Sequence, residues 1–376
     1  MKKASAMTVL WVTVGLLLFS GGWAGAGQAD GVLQKLIEAA RADGELDLMI
    51  GSSQGEKGAR ELVETFKRRF GLDIKLNADL SGQESQKFNQ AVTETKSGLR
   101  PTFDLMAGQA DNVLSLKEAD GAERIENWES VLAQISPVAY GVRSKISPGI
   151  LAGFGFLWST RTVGILYNPK LISERELPRT WKDMGNPKYR EAFSLPPWTD
   201  VPQMGLLKYD KEELLDMVRS WSKNKRETLT YIAAAQRMLL GELKFLYGNT
   251  DLYFEHKGKD PNAPIGLTFF DDITTHAQVM YVLRKGAKHA NAARLFALWA
   301  TGEEANPIFE RYASVENLAL GSGPVTKQIL KTLNERNIKP VSWFDNAENL
   351  AKFRWLGTEE GKRFSRSLAL ALREGK

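Results

Sequence analysis

The chain is 376 residues long, 43% hydrophobic and without cysteine, and it carries 50 Lys and Arg against 45 Asp and Glu. Lacking cysteine, it has no disulfide, no thiolate chemistry and no lipid anchor on cysteine. A net charge of +5 with both signs mixed along the length excludes the basic stripe of a nucleic-acid-binding protein.

At the N-terminus, Lys2 and Lys3 precede an apolar run over 7–19, and small residues follow, with Ala24-Gly25-Ala26 and Gly27-Gln28-Ala29 as candidate cleavage sites. A charged start, a short apolar core and a small-residue exit make a secretory signal peptide over 1–29, because the run is too short to span a bilayer comfortably. A retained membrane anchor is the alternative. No later stretch is long and apolar enough to span, so a soluble, monomeric, periplasmic mature chain is expected. Without Lys2 and Lys3, 48 basic residues face 45 acidic ones. About 350 mature residues suffice for two lobes, since single cores stop growing beyond roughly 250–300 residues.

From Glu45 the pattern alternates as a parallel sheet demands. Strands are predicted over 46–50, 72–76 and 103–107, and helices over 55–70 and 85–96. The first helix presents Ala59, Leu62, Val63, Phe66 and Phe70 at helical spacing and ends at Gly71. This β-α-β-α-β order is a doubly wound half. Ligands of such sheets lie beyond the carboxyl ends of the strands, where N–H groups of the next helix point outward. The strand-to-helix loops therefore supply candidates: Ser52, Ser53 and Gln54, then Gln83, then Gln109 beside Asp111. Plain helix capping by the serines and Asp111 is the competing explanation.

Gly51-Ser52-Ser53-Gln54-Gly55 also matches G-x-S-x-G, the nucleophile elbow of α/β-hydrolases, which makes an exported serine hydrolase using Ser53 an alternative. A hydrolase needs an acid and a histidine downstream, and an oxyanion loop before the elbow. The chain holds only His256, His276 and His289, and no mature strand precedes this loop. No catalytic residue, enzyme activity or cofactor is therefore expected.

An apolar, β-branched run over 162–167 stops at Asn168-Pro169, since proline cannot donate to a sheet ladder. Thr180 as cap, with Asp183 three residues on, frames a short helix that ends at Gly185-Asn186-Pro187. In Tyr167-Asn168-Pro169, in Pro178-Arg179-Thr180-Trp181-Lys182-Asp183 and in Asn186-Pro187-Lys188-Tyr189, the chain resembles the extracellular solute-binding proteins of ABC importers. The branch is that of the ferric-ion, polyamine and thiamine receptors. A weaker likeness runs over 46–324 and includes Lys285-Gly286-Ala287 and Leu295-Phe296. The resemblance implies a type II periplasmic-binding fold: two α/β lobes, each a doubly wound mixed sheet, with the ligand cleft between them. It also implies hinge closure on a small solute and delivery to an ABC permease in the inner membrane.

On this reading, lobe 1 takes 30–154 and 270–320, and lobe 2 takes 159–266 and 324–376. Crossings are expected near 153–158, 266–270 and 320–324. In lobe 2, Trp198 and Thr199, beside Asp200, follow a short strand and form the counterpart of the Ser52 and Ser53 loop, either as an aromatic wall with hydrogen-bond donors or as a core tryptophan and helix cap. Trp158, Tyr253, Phe270 and Asp271 complete the candidate ligand-binding set. Few carboxylates, Asp111, Asp200 and Asp271, stand near these loops, which favours an anionic or neutral polar organic solute over a polyamine. In the ferric receptors two adjacent tyrosines bind the metal as phenolates. Here the pair reads Tyr253-Phe254, so ferric ion is kept as the alternative ligand and no metal site is assigned. Tyr231, Tyr247 and Tyr281 are further tyrosines within reach of the cleft, and His256 and His276 are expected on the solvated surface.

Overall fold

The computed structural model describes residues 26–374. The apolar run expected of a signal peptide lies outside them. Among the described residues no helix is long and apolar enough to cross a membrane.

Helix α1 (Ala26–Asp43) leads into β1 (Glu45–Met49), α2 (Gly55–Phe70), β2 (Lys75–Asp79), α3 (Glu84–Lys96), β3 (Leu105–Gln109) and α4 (Ala110–Glu118). Helix α2 buries Ala59, Leu62, Phe66 and Phe70, as their spacing predicts, and Gly71 closes it at φ 59°, a left-handed conformation that glycine adopts without a Cβ penalty. β1 pairs in parallel with both β2 and β3. Two strands begin later than their sequence suggests. Leu72 and Ile74 are buried, but the ladder to β1 starts where Glu45 meets Lys75, so Leu72 serves the core from the approach to the strand.

The remaining strands are β4 (Gly155–Tyr167), β5 (Phe193–Leu195), β6 (Glu227–Thr228), β7 (Phe245–Asn249), β8 (Gly266–Thr268) and β9 (His276–Leu283). The order across the molecule is β2-β1-β3-β9-β4-β7-β5-β6, with β8 beside β4. Strand β4 belongs to two mixed sheets. Its first part, from Gly155 to Thr162, runs antiparallel to β9, and its second, from Val163 to Tyr167, lies between β7 and β8. A bulge at Trp158 shifts the register, with Leu157 opposite Met280 and Ser159 opposite Val279. The change of partner thus falls between Thr162 and Val163, beyond the expected crossing at 153–158, because β9 starts at His276 and keeps Ser159 to Thr162 in its ladder. The return passage occupies 269–275, beyond the expected 266–270, since β8 holds its place beside β4 through Thr268.

Separate cores lie on either side of that change. One gathers Phe66, Trp128, Phe156, Trp158, Phe296 and Trp299, the other Trp181, Phe193, Trp221, Phe245, Tyr247 and Phe270. The motif around Trp181 is a packing device. The Thr180 amide donates to Asp183 Oδ2 at 2.8 Å and the Asp183 amide to Thr180 Oγ1 at 3.2 Å, a reciprocal cap that delivers Trp181 into the second core. There Trp221 Nε1 donates to the Trp181 carbonyl at 2.7 Å.

His276 corrects an expectation: it is buried at the head of β9, not solvated, and His256 is half-buried. The His276 amide donates to Val341 O, which pins the residue beneath the loop before the helix Ala347–Leu356. Burial pushes its imidazole below the ordinary range, with Asp345 partly offsetting this.

Candidate functional site

A cavity of about 280 Å³ lies at the place where β4 changes partner. Gln109 and Asp111 reach it from the junction of β3 and α4, and Arg161 and Val163 from the two sides of the change. Trp198, Asp200 and Gln203 come from the segment after β5, Tyr231 from the start of the helix Tyr231–Leu239, and Asn249 from the end of β7. The carboxyl ends of β3, β5 and β7 converge here, where doubly wound sheets place their ligands. His276 and Gln278 at the head of β9 and Trp343 and Phe344 close the remaining side.

Three charged side chains look into this space. Asp111 sits in the first turn of α4 with Oδ1 buried and without a hydrogen-bond partner, and burial pushes its carboxyl above the ordinary range. Asp200, in the first turn of the short helix Asp200–Gln203, opens onto the cleft. The enclosing walls push its carboxyl up as well, and the charge of Asp111 adds to the effect. Arg161 donates through Nη2 to Ser53 Oγ at 3.4 Å, while its Nε is buried without a partner. Among the described residues none of the three forms an ion pair. Glu84 stands behind Asp111, accepting the Gln109 amide at 2.6 Å and the Asn112 side-chain amide at 2.7 Å. Burial raises its carboxyl, and the charge of Arg161 works the other way. Tyr231 lies edge-on to Trp198 with ring centroids 5.0 Å apart, and burial pushes its phenol well above the ordinary range.

The sequence candidates separate into groups. Gln109 and Trp198 line the cavity, with Thr199 between Trp198 and Asp200 and making no cap hydrogen bond. Ser52, Ser53 and Gln54 form a 3₁₀ turn between β1 and α2. Ser53 touches Arg161, and Gln54 is buried with neither amide atom hydrogen-bonded. Gln83 is exposed at the head of α3 with φ 57°. Trp158 packs at 4.4 Å between ring centroids against Phe309 in the first core, and Phe270 at 5.2 Å against Tyr247 in the second. Tyr253 accepts from Gln328 Nε2 outside the cavity, and Asp271 pairs with Arg179 at 2.7 Å and with Arg336. Tyr247 and Tyr281 are buried in the cores, which leaves Tyr231 as the single phenol among the lining residues. Arg161 was missed by sequence reasoning, although a lone cation in an otherwise apolar strand is a legible signal. Asn249, Gln278 and Trp343 carry no such mark.

A family model described as bacterial extracellular solute-binding protein matches residues 150–359. No curated protein sequence matches the chain. Among solved structures the chain is similar to iron-bound HitA from Pseudomonas aeruginosa, with a TM-score of 0.64 and 18% identity over 84% of this chain and 99% of that one. It is similar also to the spermidine/putrescine ABC transporter substrate-binding protein PotD from Streptococcus pneumoniae, with a TM-score of 0.62 and 15% identity over 88% of this chain and 99% of that one. The periplasmic binding protein AfuA from Actinobacillus pleuropneumoniae, with fructose-6-phosphate bound, gives a TM-score of 0.60 and 14% identity over 83% and 98% of the two chains. These likenesses show the two-lobed type II periplasmic-binding fold. With more than half its length matched by the family model and its sheets arranged about a cleft, the chain belongs to the bacterial extracellular solute-binding proteins.

Proposed function

We propose that this protein is the solute-binding component of an ABC importer, exported to the periplasm, that captures a small polar organic solute in the cavity beside β4 and presents it to a permease in the inner membrane. The observation that carries the reading is the composition of the walls: Asp111 is attached to the sheet of β1–β3, Asp200 to the sheet of β5–β7, and the strand between them is shared. A solute touching both walls favours the closed arrangement by its differential affinity for it, and β4 with 269–275 supplies the hinge. On this reading the first lobe comprises 30–162 with 276–320, and the second comprises 163–268 with 324–374.

Small-angle scattering tests this directly. A solute that binds shrinks the radius of gyration of the purified monomer, and the absence of any compaction across amino acids, organic acids, sugar phosphates, polyamines and ferric citrate overturns the reading. The Ser53 hydrolase gains no support from the geometry, since Ser53 is exposed, is hydrogen-bonded to Arg161, and lies off the cavity that His276 lines.

A further inference from the structure

We infer that the solute held by this cleft is a small aminocarboxylate, with its cationic nitrogen between Asp111 and Asp200 and its carboxylate on Arg161. The inference rests on the receptor reading above and concerns the charge pattern of its ligand.

Each part follows from what the lining leaves unmatched. Asp111 Oδ1 is buried without a partner on one wall, Asp200 faces it from the other, and neither has a cation of the protein to pair with. Two carboxylates that face each other across a cleft repel, and a ligand ammonium is the group that relieves both. Gln278 is a further unmatched acceptor in the lining. It is 8% exposed, it lines the cavity, and its side-chain oxygen is buried with no donor in reach. A purely anionic solute would sit against these carboxylates with Arg161 as the one cation in the lining to offset them.

A simple amine leaves the opposite problem. Arg161 also lines the cavity, its Nε is buried and unpartnered, and its one hydrogen bond goes to the neutral hydroxyl of Ser53. A second cation beside it would be repelled, whereas a carboxylate can accept from the guanidinium in the forked geometry that arginine favours. Trp198 and Tyr231, edge-on to one another, give an apolar wall for the carbon chain between the charges. The cavity, about 280 Å³, suits a compact solute at the low end of the range for small-molecule pockets.

Isothermal calorimetry and thermal shift on the purified mature protein test the pattern with glycine, 4-aminobutanoate, 5-aminopentanoate, lysine and arginine, set against 1,5-diaminopentane, glutarate and glucose-6-phosphate. The expected result is that an aminocarboxylate binds tightest. Asp111→Asn and Arg161→Gln should each weaken it by about tenfold or more, as loss of a charge-assisted hydrogen bond implies, and leave the unliganded melting temperature close to that of the native chain. Asp200→Asn is the companion variant if Asp111→Asn is unstable. Tighter binding of the diamine, the diacid or the sugar phosphate, with compaction in scattering, overturns the charge pattern while the receptor stands. If no aminocarboxylate binds but another solute compacts the protein, the pattern is likewise overturned. If no solute binds or compacts it, the receptor reading falls and the inference with it.

Discussion

Glu316 Oε1 accepts the backbone N–H of Thr162 at 2.5 Å, so a buried carboxyl grips β4 at the residue where the strand changes sheets. Its second oxygen accepts the Thr250 hydroxyl at 3.2 Å, and its carbonyl accepts the Thr160 amide at 2.7 Å. Three segments that meet where β4 changes sheets are thus tied through one residue.

Burial pushes the Glu316 carboxyl up to about 7, against 4.5 for the ordinary group. The folded protein therefore binds this proton more tightly than the unfolded chain does. The associated stability is fully present below pH 4.5 and lost as pH rises through 7. The size is on the order of 3 kcal/mol. Glu316→Gln, which imitates the protonated group, should match the native chain near pH 5 and exceed it in melting temperature near pH 8. A native-to-variant difference that stays constant between those values refutes the assignment.

Arg284 and Glu94 form a buried pair, with Nη1 and Oε2 3.1 Å apart and side-chain exposures of 1% and 9%. Arg284 also donates to the Ala91 carbonyl, tying α3 to the end of β9. Glu94→Leu strands the guanidinium in the core and should cost about 3–5 kcal/mol in urea denaturation. Glu94→Leu with Arg284→Met should cost clearly less than the sum of the single changes.

Trp181 is fully buried, edge-to-face with Trp221 at 5.2 Å and with Tyr247 at 5.7 Å. Trp181→Ala should destabilise by about 3–5 kcal/mol, while any solute affinity measured at low temperature in the folded fraction stays within a few-fold. A selective loss of affinity with unchanged stability would assign the Pro178–Trp181 motif to binding rather than packing.

Ferric ion should give no phenolate band. Among the cavity residues Tyr231 is the single phenol, so the lining offers no pair of phenolates to a hard ferric ion. Loading with ferric citrate is expected to leave the protein colourless at visible wavelengths. A stoichiometric coloured complex that disappears in Tyr231→Phe would contradict this.

What the sequence made legible was periodicity and punctuation. The α2 face, Gly71, the reciprocal Thr180 and Asp183 cap and the strand that stops at Asn168-Pro169 are all local, and all stand where their spacing puts them. The cleft was legible only in part. Gln109 and Trp198 could be found because a strand-to-helix loop announces itself, but Asn249, Gln278 and Trp343 arrive from distant segments whose local pattern says nothing about where they meet. The few carboxylates near the loops were legible as residues but not as neighbours, for the same reason. Asp271 is taken up by Arg179 and Arg336, while Asp111 and Asp200, some ninety positions apart in the chain, come to one cavity.

The bulge at Trp158 makes chain length, as well as residue type, a determinant of recognition. Beyond it Arg161 and Val163 face the cavity while Thr160 and Thr162 turn to Glu316, an alternation of period two. A one-residue deletion between the bulge and Arg161 that keeps the bulge and slides the following residues one place along β9 exchanges those faces. The two threonines would look into the cavity, and the guanidinium would be driven against the buried Glu316 carboxyl where β4 changes sheets. Substitutions at Trp158 are then repacking problems that a sequence can absorb, whereas a change of length that slips the register along β9 reverses which side of the strand meets the solute.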